Sequence, residues 1–175
     1  ALYDPALIPL LPQFIGDLRD GNTAIVAELI RRGAALQGSI AWAMYLSTNC
    51  ADNAGLDPAT DEPALADPGR LRLLLTEPLC SQWPVEPTSD TFNEPVVSDI
   101  PALVVAGRYD PITPPDSSQT VAGRLTNSTF ALWPDRGHGV AGDACANDIM
   151  SAFLDDPSAP VDLACLTSVP DPAFG

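Results

Sequence analysis

Ile100-Pro101-Ala102-Leu103-Val104-Val105-Ala106-Gly107-Arg108-Tyr109-Asp110-Pro111 is an apolar run of strand character, closed by glycine and followed at once by a polar turn. A continuous run without alternation is what a parallel strand buried on both faces requires. Pro101 can occupy its first position without removing a ladder donor. The chain then repeats the pattern. Residues 116–125 read as a helix with Asp116 as its N-cap, residues 128–133 as a second strand, Asp135-Arg136-Gly137-His138-Gly139 as a second polar turn, and residues 144–154 as a second helix. Strand, loop, helix, strand, loop, helix is the grammar of an α/β sheet with crossover helices. In such sheets function gathers at the carboxyl ends of the strands.

Asp110 and His138 stand at those two ends. An aspartate placed there can accept a hydrogen bond from one imidazole nitrogen, fix the tautomer, and stabilise the imidazolium formed when the other nitrogen takes a proton from a hydroxyl. Gly137 and Gly139 are expected to let the backbone turn tightly around the ring. Taken alone, Asp110 in an Asp-Pro pair is a turn initiator and His138 a loop histidine. Their joint placement after two strands favours an acid–base pair, with Asp135 and Asp116 as the acids to test should Asp110 prove dispensable.

Upstream, residues 5–32 carry apolar side chains at helical intervals, interrupted at Asp20-Gly21-Asn22, which predicts two helices. An alanine-rich third helix is expected over 34–45, a long surface loop over 51–69, and a short helix or turn at 71–75 before Cys80-Ser81-Gln82-Trp83-Pro84. The expected division is a helical segment with its return loop over residues 1–75, and an α/β core with its tail over 76–175. No internal repeat is evident.

Composition narrows the function classes. The 175 residues are 46% hydrophobic, enough for a packed domain, and carry 23 acidic side chains against 8 arginines and no lysine, a net charge of -15. That field repels phosphate backbones and anionic lipid, so no nucleic-acid partner is expected. No apolar stretch approaches the ~18–20 residues that would span a bilayer. The chain starts at Ala1 without methionine, and its first fifteen residues lack a basic n-region and do not form a signal peptide, so upstream sequence is expected to have been removed or left out. Cys50, Cys80, Cys145 and Cys165 are even in number and widely spaced, with no C-x-x-C and only one histidine to complete a metal site. Two structural disulfides and a secreted or periplasmic location are expected.

The run from Pro101 through Asp110-Pro111-Ile112-Thr113-Pro114-Pro115, then Gly137-His138-Gly139, then Cys145 and Cys165, resembles the C-terminal region of the tripeptidyl aminopeptidase-like branch of the α/β-hydrolase fold. Leu2-Tyr3-Asp4-Pro5 through Asn49-Cys50-Ala51-Asp52 is similar to that family's helical lid and its return to the core, and Cys80-Ser81-Gln82-Trp83-Pro84 to the segment before the last strands. The resemblance implies the α/β class: the last parallel strands and crossover helices of a hydrolase sheet plus a helical lid segment. It implies a secreted serine hydrolase, foremost an aminopeptidase of tripeptidyl or prolyl type acting on peptide amino termini, with Asp110 as triad acid and His138 as triad base. An esterase or amidase of the same fold, and a truncated non-catalytic binding domain, stay open as alternatives. No metal or organic cofactor is implied.

The family's nucleophile, a serine on a Gly-x-Ser-x-Gly turn N-terminal to both residues, does not occur in the 175 residues. Ser39 in Gln37-Gly38-Ser39-Ile40-Ala41 lacks the second glycine and a preceding strand, and Ser47, Ser81 and Ser98 have no better context. The chain therefore reads as the back half of an enzyme, not active alone. Its expected partners are the missing N-terminal half carrying the serine, and a peptide or small acyl substrate. A cut natural chain, a proteolytic remnant and a truncated relative are three explanations that the sequence leaves unranked. Glu28 and Glu94 are candidates to hold a substrate ammonium, although lone carboxylates more commonly serve a solvated surface. Of the three pairings four cysteines permit, Cys50 with Cys80 and Cys145 with Cys165 each close a moderate loop and are the pairing expected.

Overall fold

The computed structural model describes residues 4–38, 40–52, 78–89, 91–92 and 94–174. They belong to two compact units, one made of Ala1–Ala27 with Pro95–Gly175 and the other of Glu28–Glu94.

In the first unit the chain opens with a 3-10 helix, Pro5–Leu10, before α1 (Leu11–Arg19). The expected helix starts tight because Pro9 and Pro12 carry no amide proton, so an α-helical ladder from residue 5 would lose donors. Asp4 caps the 3-10 turn by accepting from the Ala6 amide at 3.0 Å. α2 (Ala24–Gln37), whose residues from Glu28 onward belong to the second unit, follows the break at Gly21, whose φ is +84°.

The carboxyl half of this unit is a two-stranded parallel sheet among the described residues. β1 (Ala102–Gly107) pairs with β2 (Ser128–Trp133) in unbroken register from Ala102 opposite Ser128 to Gly107 opposite Trp133. α4 (Pro115–Ala122) connects them and packs on both. It begins one residue earlier than the sequence predicts: Pro114 occupies the cap position, and Asp116 lies in the first turn instead of capping it. Pro115 at the start of the helix explains the shift, since its fixed φ suits the first turn and its missing amide is not needed there.

Alternation sends Leu103, Val105, Ala131 and Trp133 to one face. There they meet Val140, Ala146 and Ile149, with Val161, Leu163 and Leu166 of the tail packed on the same cluster. α5 (Ala144–Asp155) supplies Ala146 and Ile149. β1 is buried only at Ala106 and Gly107 and half-buried from Ala102 to Val105, short of the expected two-sided burial. The physical reason is that β1 has a partner strand on one side only among the described residues. Cys145 is joined to Cys165, Cα to Cα 5.8 Å, tying the head of α5 to the tail.

In the second unit α2 and α3 (Trp42–Asp52) part around Gly38, so the alanine-rich helix expected over 34–45 is divided between them. The end of α3 is pinned three ways. Cys50 is bonded to Cys80, the Trp83 indole donates to Ser47 Oγ at 3.0 Å, and Thr88 sends both its amide and its hydroxyl to the Ala51 carbonyl at 3.1 Å. The loop expected over 51–69 gives its first two residues to α3; the rest of it, and the turn expected at 71–75, lie outside the described residues. No helix among the described residues is long and apolar enough to cross a membrane.

Candidate active site

The site forms where β1 and β2 end side by side. Beyond Gly107 the chain turns through Arg108 and Tyr109, and the Asp110 amide donates back to the Gly107 carbonyl at 3.2 Å. Beyond Trp133 the second loop crosses close under the first. The Arg108 amide donates to the Trp133 carbonyl and the Tyr109 amide to the Arg136 carbonyl, both at 2.9 Å. Only glycine permits this approach: a Cβ on residue 107 would lie 2.2 Å from the Gly137 oxygen and 2.7 Å from the Arg136 oxygen. The glycine that closes the apolar run is thus the contact point of the loops that carry Asp110 and His138.

Asp110 and His138 meet across that contact. His138 Nδ1 lies 3.1 Å from Oδ1 and 3.0 Å from Oδ2 of Asp110. Oδ1 also accepts from the Ile112 amide at 2.8 Å and the Thr113 amide at 3.0 Å, while the Thr113 hydroxyl donates to Oδ2 at 2.8 Å. Asp110 is only 8% exposed. Burial pushes its carboxyl upward, but the amides of Thr113 and Ile112, the Thr113 hydroxyl and His138 outweigh it and hold the group below the ordinary carboxylate value. An ionised Asp110 requires a proton on Nδ1 of His138, and in the neutral ring that leaves the lone pair on Nε2. Asp110 is at once a turn-former, bonding its own backbone two and three residues on, and the orienter of the imidazole. A cleft of about 210 Å3 opens beside the pair, walled by Val105, Ala106, Gly107, Thr113 and Val140.

The His138 loop has supports that sequence reasoning missed. An Arg136 guanidinium nitrogen bonds Asp143 Oδ2, and Asp143 Oδ1 accepts from the Ala146 amide at 2.8 Å as the N-cap of α5. An aspartate just before an apolar helical stretch was a legible cap signal; its ion pair with Arg136 was not. The left-handed backbone falls at Gly139, φ +98°, and Gly142, φ +112°, not at Gly137, so the tight turn expected of both bracketing glycines belongs to Gly139 alone.

Other candidates lie elsewhere. Asp135 is in ion-pair range of Arg136, 3.3 Å to Nε but off hydrogen-bond angle, and Asp116 is exposed on α4. Glu28 has both oxygens engaged by Arg31 and Arg32 at 2.7–2.8 Å, and their hydrogen bonds lower its pKa to about 2, so it is committed to its own helix. Glu94 is exposed. Ser47 accepts from Trp83, Ser81 donates to the Pro78 carbonyl, Ser98 accepts from the Ile100 amide, and Ser39 lies outside the described residues. Among the described residues no serine lines the cleft. Among the described residues no group of three or more His, Cys, Asp or Glu side chains could hold a metal ion.

The family model for TAP-like proteins matches residues 70–165, more than half of the chain, including both strands, α4, α5 and both cysteines of the Cys145–Cys165 bond. The chain belongs to the TAP-like family. Its parallel strands with their helices are accordingly the C-terminal part of an α/β-hydrolase fold. Proteins named serine protease Hip1, from Mycobacterium bovis and from two strains of Mycobacterium tuberculosis, are 27% identical to this TAP-like chain over 173 residues, covering 88% of it. The chain spans about a third of those relatives, 32% of their length. No solved structure matches it.

Proposed function

We propose that this chain supplies the base and the acid of a secreted or periplasmic serine peptidase, an aminopeptidase acting at peptide amino termini. Its nucleophilic serine lies outside these 175 residues. The observation that carries the reading is the buried, four-donor Asp110 holding His138 through Nδ1 at the ends of adjacent parallel strands. In this mechanism Nε2 takes the serine proton as the oxygen attacks the scissile carbonyl. The resulting imidazolium is stabilised by Asp110, and the same proton is then given to the departing amine. The 27% identity to relatives named serine protease favours peptides over esters. The two disulfides favour an oxidising compartment. The N-terminal half carrying the serine is the expected partner. The one-sided pairing of β1 among the described residues, with exposed Val96, Val97 and Ile100 leading into it, supports a neighbour there.

The test uses the protein at its natural full length, with a fluorophosphonate probe and peptide amides bearing a free amino terminus. His138→Ala and Asp110→Ala should each lower kcat/KM by on the order of 10^3–10^4 or more, with the histidine change at least as severe. Near-normal turnover of either variant would remove that residue from the triad. Preference for amino-terminally blocked substrates would remove the aminopeptidase assignment.

A further inference from the structure

The loop that carries His138 is, by its sequence, poorly suited to hold anything still. Between Arg136 and Asp143 it contains glycines at 137, 139 and 142, two of them in left-handed conformation, and glycine has the most conformational freedom to lose. Yet a triad base must be held within a fraction of an ångström of its productive position. The structure shows what closes the loop. Arg136 at its start bonds Asp143 at its end, and both side chains are mostly withdrawn from water, at 21% and 31% exposed.

Each partner is in turn fixed to a different rigid element. Asp143 caps α5 through the Ala146 amide, at a residue with no exposed surface, next to the Cys145–Cys165 bond. Arg136 accepts the Tyr109 amide on its carbonyl, one residue before Asp110, and its backbone rests against Gly107. A connected path therefore runs from α5 through Asp143 and Arg136 to the turn that holds the acid. His138 lies two residues inside the bracket.

We infer that Arg136 and Asp143 are a positioning pair for His138: their ion pair closes the glycine-rich loop and sets the imidazole against Asp110. This rests on the triad reading above. An exposed ion pair of this kind would be worth little, but a charge-assisted hydrogen bond withdrawn from solvent is stronger and directional. The rival account, in which Asp143 merely caps α5, is separable by chemistry. Serine is as good an N-cap as aspartate but too short to reach Arg136. Asparagine caps and can still accept from the guanidinium.

The experiment follows the Nδ1–H proton of His138 by NMR in the full-length protein, assigned by its loss in His138→Gln, alongside kcat and KM. Asp143→Ser should still fold with α5 capped, lose the Nδ1–H signal to exchange with water, and lower kcat roughly ten- to hundredfold with KM little changed. Asp143→Asn should recover most of both. If Asp143→Ser fails to fold, Arg136→Gln, which leaves the cap untouched, should show the same loss of signal and decides the matter. A sharp Nδ1–H signal and unchanged kcat in Asp143→Ser, or in Arg136→Gln where that variant decides, would overturn the pair. Should His138→Gln leave hydrolysis intact, the triad reading fails, while the signal still judges the positioning role.

Discussion

Burying a carboxylate is costly unless its oxygens are occupied, and Asp110 meets that condition with three donors from its own turn and one from His138. Most of its stabilisation is therefore local, which gives a signed pH effect. The folded carboxyl titrates below the unfolded one, so its contribution is fully present above the unfolded value of about 3.9. It is lost as pH falls through the folded value, because the unfolded chain takes up its proton first. Urea unfolding of the wild type should weaken more steeply below pH ~4 than that of Asp110→Asn; parallel curves would show that Asp110 is not held in its ionised form. At this scale the placement of Asp110 and His138 was legible because each lies in a short polar turn that follows an apolar run. Asp143 carried a cap signal only; the Thr113 hydroxyl bond and the Arg136–Asp143 pair were not assigned, since they depend on where a hydroxyl and a guanidinium point, which residue spacing does not encode.

Among the elements, β1, β2 and α5 were legible nearly to the residue, because each is an apolar segment bounded by a glycine, a proline or a capping side chain. The amino-terminal helices were read less well. Their apolar spacing suits a helix, but prolines at 9 and 12 and the glycine at 38 reset its start and its break, and periodicity does not weigh those donors. Gly107 shows how far an element depends on one missing methyl group. Gly107→Ala would press a Cβ against two backbone carbonyls of the His138 loop, neither of which can rotate away. It should cost about 1–3 kcal/mol and separate the two loops, visible as a lower melting midpoint and loss of the Asp110–His138 hydrogen bond. Gly123→Ala is the matched control. Its Cβ would meet carbonyls only at 3.5 and 3.6 Å, in an ordinary helical conformation, and its melting midpoint should stay near that of the wild type.

For the molecule as a whole, each compact unit holds one disulfide, and the Cys145–Cys165 bond has the greater consequence for the site. The tail it anchors has only a short 3-10 helix, Ala164–Ser168, and joins neither strand of the sheet, yet Val161, Leu163 and Leu166 pack on the Trp133 core. Farther along, Asp171 pairs with Arg108 and Phe174 packs edge-on against Tyr109 at 5.9 Å, both on the turn that leads into Asp110. The tail therefore covers the core and braces the acid loop, while its own backbone contributes little to hold it there. A bond spanning 20 residues stabilises by about 3 kcal/mol, chiefly by restricting the unfolded chain. Replacing both cysteines with alanine should lower the unfolding free energy by about that amount. Limited proteolysis of the variant should cut first between α5 and the tail, where the wild type resists. Equal stability together with an uncut tail would mean that packing alone seats the segment, and that the acid loop owes its position to Arg108 and Tyr109 without help from the disulfide.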